Sequence, residues 1–407
     1  MSYTVAMLCI HTSPLDTPGK TKDAGGMNVY IQELARELAL QDIKVDIYTR
    51  RTDAQTPLVV SVQPNVRVIH IKAGPLAPLP KDELYQYTPT FARHVDEFRR
   101  REGIHYDIIH SHYWISGVTA MRLACHWGIP HITMFHTMGR LKQTANPDAP
   151  EPPLRLEMEQ RLLHHVDRVI TATNDEKNQI LRCCSATTGR VATIPCGVDL
   201  QLFTAHEKHE ARRRLELDPH TPVVLFAGRL DPFKGPDQLL QAAALMRQPA
   251  QIVIVGGKLC GDKDLQQLRQ LAHTLGIEQR VSFVGAQPRG KMPLFYSAAD
   301  VTVVPSYHET FGLAAVESLA CGTPVVATRA GGLMTVVQHG VSGLLVPRWP
   351  GAFAERIDLL LRDKELHARM SANARRSVEQ FGWHCVALQV SAVYEELVSD
   401  GYSLVAL

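Results

Sequence analysis

Glu309 and Glu317 stand eight positions apart on either side of Phe311-Gly312-Leu313, in the string Ser306-Tyr307-His308-Glu309-Thr310-Phe311-Gly312-Leu313. Upstream, Gly228-Arg229-Leu230 closes an apolar run and Lys234-Gly235 follows it. Arg229 can grip two oxygens of a diphosphate through its planar fork, and Lys234 adds a compact charge. A carboxylate accepts hydrogen bonds from a pair of hydroxyls, as a sugar or a ribose diol presents them. The turn at Phe311-Gly312-Leu313 opens a predicted helix whose first amides suit a phosphate. Together these groups match a nucleoside diphosphate carrying a sugar. The bland alternatives are a solvated pair for Arg229 and Lys234, a helix-cap carboxylate for Glu309 and a surface helix residue for Glu317. The placement of both cations just after a predicted core strand favours the chemical reading.

A second group lies in the first half of the chain. Asp23-Ala24-Gly25-Gly26-Met27-Asn28 follows the first predicted strand and opens a helix, where paired glycines let backbone approach an anion. It is not the G-x-G-x-x-G fingerprint of a dinucleotide cofactor. His110-Ser111-His112 ends one predicted strand and His136-Thr137 the next. No acidic or cysteine partner sits at metal-ligand spacing, so these read as polar residues lining a cleft, with His136 able to donate to a sugar hydroxyl. Tyr113, Trp114, Lys81, Lys142 and Arg155 add donors for an anionic acceptor.

The elements that must position these residues alternate. Strands are expected at 5–9, 44–48, 66–71, 108–110, 131–135, 168–172 and 191–194, with helices at 29–40, 90–101, 117–127 and 155–165. Pro195-Cys196-Gly197-Val198-Asp199 breaks the pattern and marks a domain junction. Strands then resume at 223–226, 251–255, 281–284, 301–304, 324–327 and 343–346, with helices at 236–246, 265–275 and 313–319. This alternation predicts an α/β chain of two doubly wound, Rossmann-like domains facing a central cleft, at 1–195 and 196–382. The helical tail from 383 to about 407 is expected to pack back on the first domain.

The whole composition fits. A chain of 407 residues exceeds one ordinary core. A net charge of +2 argues against a nucleic-acid footprint, which needs clustered basic residues. No apolar run reaches membrane-spanning length. The N-terminus lacks the pattern of a signal peptide, and the eight cysteines show no Cys-x-x-Cys spacing, so reduced thiols in the cytoplasm are expected.

These residues together resemble the retaining glycosyltransferases of family four, which have the two-domain GT-B architecture, and the resemblance spans essentially the whole chain. Within that family, His11-Thr12-Ser13-Pro14, the Gly25-Gly26-Met27-Asn28-Val29-Tyr30 run and His110-Ser111-His112-Tyr113-Trp114 look like the inositol-phosphate glycosyltransferases. The first loop, 15–22, differs in length and sequence from that of those enzymes, and Met138-Gly139-Arg140-Leu141-Lys142 departs from them toward the sucrose-phosphate synthases. The resemblance implies that Arg229 and Lys234 bind the donor diphosphate, Glu309 the transferred sugar and Glu317 the ribose. Phe311, Gly312 and Leu313 would border the same donor site. Gly26 would approach the donor phosphate, and the segment ending at Gln287 would seat the base. Lys81, Tyr113, Thr137 and Arg155 would hold an acceptor phosphate, with His11 and Asn28 lining that pocket and His136 bonding the transferred sugar.

The implied reaction moves a hexosyl unit from a nucleoside diphosphate sugar, UDP-linked glucose or N-acetylglucosamine, to a phosphorylated small acceptor such as inositol phosphate or a sugar phosphate, with retention. Its partners are small molecules and a homodimer is compatible with it. The nucleotide sugar is a co-substrate, and no further cofactor or metal is called for, since Arg229 and Lys234 can carry the leaving group. Two rival readings are a nucleotide-sugar epimerase of similar shape, active without acceptor, and a two-domain sugar-binding protein, for which the diphosphate cations have no use.

Overall fold

A computed structural model describes residues 3–16, 25–145, 150–183, 188–259 and 261–405. These fall into two compact units, one built from the chain up to residue 195 together with the chain from 383 onward, the other from 196–382.

The first unit holds an eight-stranded sheet of β1 (Thr4–Leu8), β2 (Lys44–Arg50), β3 (Val59–Gln63), β4 (Val66–Ile71), β5 (Ile108–His112), β6 (His131–Met134), β7 (Arg168–Thr171) and β8 (Val191–Thr193). Their order is β3-β4-β2-β1-β5-β6-β7-β8, and all pairs are parallel except β3 with β4. Strands covered on both faces carry near-continuous apolar runs, and Val5 to Leu8 are fully buried. The helix Trp383–Val405 belongs to this unit, and Trp383 meets Tyr30 of the Gly26–Ala39 helix edge-on, with ring centres 5.4 Å apart.

The second unit holds six parallel strands: β9 (Val223–Ala227), β10 (Gln251–Val255), β11 (Val281–Gly285), β12 (Val301–Val304), β13 (Val325–Thr328) and β14 (Gly343–Val346), in the order β11-β10-β9-β12-β13-β14. Its core joins Val224, Phe226, Ile252, Ile254, Val301 and Val303 of the sheet to Leu239 and Leu240 of the Pro236–Leu245 helix and Phe353 of the Pro350–Arg362 helix.

The strand order reverses direction at β1/β5 in the first sheet and at β9/β12 in the second. Loops leaving the carboxyl ends of strands diverge at such a point, and open parallel sheets bind ligands there. In the chain, His11 follows β1, Tyr113 follows β5, Arg229 follows β9 and Ser306 to Glu309 follow β12.

One expectation is corrected in detail. β5 runs on through His112, so His110, Ser111 and His112 lie inside the strand, with no accessible surface, rather than at its exposed end. β3 is an addition to the expected strands. It is a short antiparallel edge strand, with Val59 and Val62 exposed, and so lacks the burial pattern that reveals a strand.

Candidate active site

In the second unit the chain leaves β9 at Gly228-Arg229 and turns into the Pro236–Leu245 helix. Gly235 caps that helix at φ +74°, and a Cβ there would lie 2.4 Å from the Pro305 carbonyl oxygen, so the turn can close against the β12 loop only without a side chain. This brings Lys234 to Glu309: its Nζ donates to both carboxylate oxygens, at 2.7 and 2.9 Å. The Ser306 hydroxyl donates to the same carboxylate at 2.8 Å, and the Gly332 amide donates to the Glu309 carbonyl at 2.7 Å. Burial alone would raise the Glu309 pKa; the Lys234 charge and the bonds from Lys234 and Ser306 reverse that and hold it below the usual carboxylate range. Arg229 is half-exposed, its Nε 3.3 Å from an Asp231 carboxylate oxygen.

Phe311 is buried edge-on against Phe381, with ring centres 5.3 Å apart, and anchors the loop. Gly312 then starts the Leu313–Ala320 helix at φ +102°, where a Cβ would come within 2.8 Å of Leu333. On that helix Glu317 accepts a hydrogen bond from the Tyr296 hydroxyl at 2.8 Å. Burial pushes the Glu317 pKa up to about 7, restrained by the charge of Arg289 and the Tyr296 bond. The two glutamates are therefore unlike: Glu309 is an anion locked to a cation, and Glu317 is a carboxyl poised to titrate near neutrality. At the end of β11 the Gln287 amide donates to the Val284 carbonyl at 3.2 Å, which shapes the segment expected to seat the base.

In the first unit Tyr113 has φ +73° and ψ +153°, a conformation that side chains other than glycine rarely adopt. Its amide donates to the Met134 carbonyl, and its carbonyl accepts from Gly117 in the first turn of the Trp114–Trp127 helix, each at 2.9 Å. The strained turn sets the Tyr113 ring 4.6 Å from His11, with Lys81 Nζ 5.7 Å and the Arg155 guanidinium carbon 5.0 Å from the ring centre. Burial, then the charges of Lys81, His136 and Arg155, hold the His11 pKa well below its ordinary value. His11, Lys81, Tyr113 and Arg155 thus converge at the switch point.

Thr137 joins this group through its carbonyl, which accepts from Arg155, while its hydroxyl donates to the His136 carbonyl at 2.7 Å. His136 follows β6 in the left-handed region, φ +58°, with its Nε2 3.0 Å from His112 Nδ1. Burial lowers the His136 pKa to about 3, so the ring is neutral at physiological pH. The ring centres of His112 and His110 lie 4.4 Å apart, and His110 Nδ1 meets the Tyr394 hydroxyl at 2.7 Å.

Asn28 is more structural than the sequence suggests. Its Nδ2 donates to Thr12 Oγ1 at 2.9 Å and to the Ser13 carbonyl at 2.6 Å, and its Oδ1 accepts from the Gly25 amide at 3.0 Å. It ties the loop after β1 to the start of the Gly26–Ala39 helix, where Gly26 is the first residue. Asp23, Ala24 and residues 17–22 of the first loop lie outside the described residues. No group of three or more His, Cys, Asp or Glu among the described residues is placed to hold a metal ion.

Comparison with known proteins covers both units. Residues 24–202 match the family model described as Glycosyltransferase Family 4, and residues 207–377 the one described as Glycosyl transferases group 1. The D-inositol 3-phosphate glycosyltransferase of Xylanimonas cellulosilytica is 41% identical over 403 residues, which cover 96% of each chain. That of Corynebacterium glutamicum is 40% identical over 407 residues, 97% of each chain. The chain belongs to the family-four glycosyltransferases.

Among solved structures, sucrose-phosphate synthase from Thermosynechococcus elongatus superposes with a TM-score of 0.91 at 34% identity, covering 98% of this glycosyltransferase and 100% of that chain. Anabaena HepE, solved in complex with UDP and glucose, shares the fold at a TM-score of 0.76 and 22% identity, over 97% of this chain and 100% of that one. The glycosyltransferase is thus an enzyme of GT-B fold. Among the described residues no helix is long and apolar enough to cross a membrane.

Three residues of the glycosyltransferase's second unit escaped the sequence reading. The hydroxyls of Ser306, in the loop after β12, and Tyr296, in the Met292–Ala298 helix, bond Glu309 and Glu317, and a lone hydroxyl gives no signal in one sequence. Arg289 had one: it is a cation just past β11, placed relative to its strand much as Arg229 is to β9.

Proposed function

We propose that the enzyme transfers a hexosyl unit from a UDP-linked sugar, glucose or N-acetylglucosamine, to a phosphorylated small acceptor such as inositol phosphate or a sugar phosphate, with retention of anomeric configuration. The observation that carries this reading is the joint engagement of Lys234 and Glu309 after β9 and β12. It puts a cation for a diphosphate and a carboxylate for sugar hydroxyls within 2.9 Å of one another. The relatives named for D-inositol 3-phosphate and the synthase named for sucrose phosphate support a phosphorylated acceptor. So does the convergence of Lys81 and Arg155 on Tyr113.

In this reading the bond from the anomeric carbon to the phosphate oxygen breaks as the bond to the acceptor oxygen forms on the same face. The acceptor's proton passes to the leaving phosphate. Arg229 and Lys234 stabilise the charge that grows there, and Glu309 orients the sugar. Neutral His136 donates to, or accepts from, a sugar hydroxyl. Glu317 takes the ribose diol, and the Val284 to Gln287 segment the base. No carboxylate pair of the glycosidase type is needed. The test is a donor-by-acceptor screen that detects released nucleoside diphosphate. Release that depends on both a UDP-sugar and a phosphorylated acceptor supports the proposal; conversion of the donor to an isomeric nucleotide sugar, with no acceptor present and no diphosphate released, favours an epimerase and overturns it.

A further inference from the structure

Arg155 donates through all three of its guanidinium nitrogens. Its Nε donates to Glu159 at 2.7 Å, one terminal nitrogen to Glu151 at 2.7 Å, and the other to the Thr137 carbonyl. Lys142 donates to the second oxygen of Glu151, so this one carboxylate bridges two cations. A bridging oxyanion between an arginine and a lysine is the arrangement a phosphate takes.

The two acids differ in how they are built in. Glu159, with 2% of its side chain exposed, also accepts the Gly139 amide on both oxygens, at 3.1 and 2.8 Å, and so anchors the start of the Gly139–Ala145 helix. Glu151 lies in the irregular segment before the Pro153–His165 helix, and the partners of its carboxylate among the described residues are the two cations. Burial would raise the Glu151 pKa, but Lys142 and Arg155 hold it below the ordinary range. Glu159 can keep Arg155 in place while Glu151 leaves.

We propose that Glu151 is a built-in stand-in for the acceptor's phosphate: it bridges Arg155 and Lys142 and is exchanged for the phosphate when the acceptor binds. The inference rests on the reading that the acceptor is phosphorylated. It makes Glu151 a specificity residue. A phosphate dianion offers more charge and more acceptor oxygens than the carboxylate it displaces, whereas an acceptor without phosphate gains nothing to offset the loss of that bridge.

The experiment is calorimetric titration of the full chain with inorganic phosphate, alongside initial rates with phosphorylated and unphosphorylated acceptor. Glu151→Gln keeps the side-chain shape and removes the competing charge. It should tighten phosphate binding about tenfold, the size of one charge-assisted contact, and lower the Michaelis constant of the phosphorylated acceptor alike. Glu151→Ala, which truncates the side chain, should act in the same direction. Glu159→Gln should do the opposite, weakening phosphate binding as Arg155 loses its anchor. Unchanged or weaker phosphate binding in both Glu151 variants, with Arg155→Gln still abolishing it, overturns the exchange and leaves the acceptor reading intact. If Arg155→Gln also leaves phosphate binding unchanged and the wild type uses both acceptors equally, the acceptor reading falls and the exchange with it.

Discussion

Replacing Lys234 with methionine tests both roles of its ammonium, the pairing with Glu309 and the proposed stabilisation of the donor diphosphate. The side chain keeps its length and apolar stem but withdraws both bonds to Glu309, at 2.7 and 2.9 Å. The side chains are 24% and 14% exposed, so water does little to replace the lost partner. Glu309 is left with Ser306, and the loss of a charge-assisted pair in such a setting costs about 2–4 kcal/mol. For a unit of this size that is roughly 4–16 °C in melting temperature. The cost has a pH signature. Glu309 has a depressed pKa in the folded protein, so the pair stabilises above the unfolded carboxylate pKa and is lost as pH falls through the folded one. Wild type and Lys234→Met should therefore differ most in stability above about pH 5 and converge in more acid solution. Turnover at saturating donor should fall about a hundred- to a thousandfold, as expected when one fixed charge is removed from a developing anion. Thermal melts across pH, paired with steady-state rates, measure both. Turnover within a factor of about two of wild type, in a variant that melts lower as predicted, would leave Lys234 as a structural partner of Glu309 and refute its role at the diphosphate.

Other outcomes follow from the same geometry. Glu317 has a folded pKa of about 7, above its unfolded value. Its burial is without penalty in acid and destabilises increasingly as pH rises from about 4.5 to 7, so Glu317→Gln should gain stability relative to wild type over that window, measured by denaturant melts. If Glu317 holds the ribose as proposed, donor binding should strengthen through the same range in wild type and stay flat in Glu317→Gln, measured by calorimetry with a UDP-sugar. His110, His131 and His136 each have folded pKa values lowered by burial to about 3. The unfolded chain takes up protons first, so the first unit should lose stability as pH falls below about 6.5, and side-chain nitrogen NMR should find His136 still neutral at about pH 5. Tyr113→Gly should relieve the strained backbone and yet raise the acceptor Michaelis constant, because the ring between Lys81 and Arg155 is lost. An unchanged constant would show that the strain serves no binding role.

Much of the architecture was legible because parallel strands covered on both faces write themselves as short apolar runs. The runs at Val223–Ala227 and Gln251–Val255 could hardly be anything else, and the break at Pro195-Cys196-Gly197 is a backbone signal. The placement of the candidate residues was legible where they follow such a run, as with Arg229 and Lys234 after β9 and Glu309 after β12. What could not be read is how the charges pair. One sequence does not say that Lys234 spends its charge on Glu309, that Glu317 sits under Tyr296 and gains a raised pKa, or that Asn28 spends its amide tying down the first loop. The strain at Tyr113 was equally hidden, since a tyrosine carries no mark of a positive φ. The histidines of β5 read as cleft residues because polarity suggests exposure. Their burial depends on partners far along the chain, Tyr394 for His110 and His136 for His112.

The most direct measurement of the central claim is proton NMR of a reaction containing UDP-glucose or UDP-N-acetylglucosamine and inositol phosphate, followed at the anomeric signals. UDP should appear only when the phosphorylated acceptor is present, together with a new anomeric proton of the same configuration as the donor's. A product of inverted configuration, or loss of the donor signal at the same rate without acceptor, would contradict the claim.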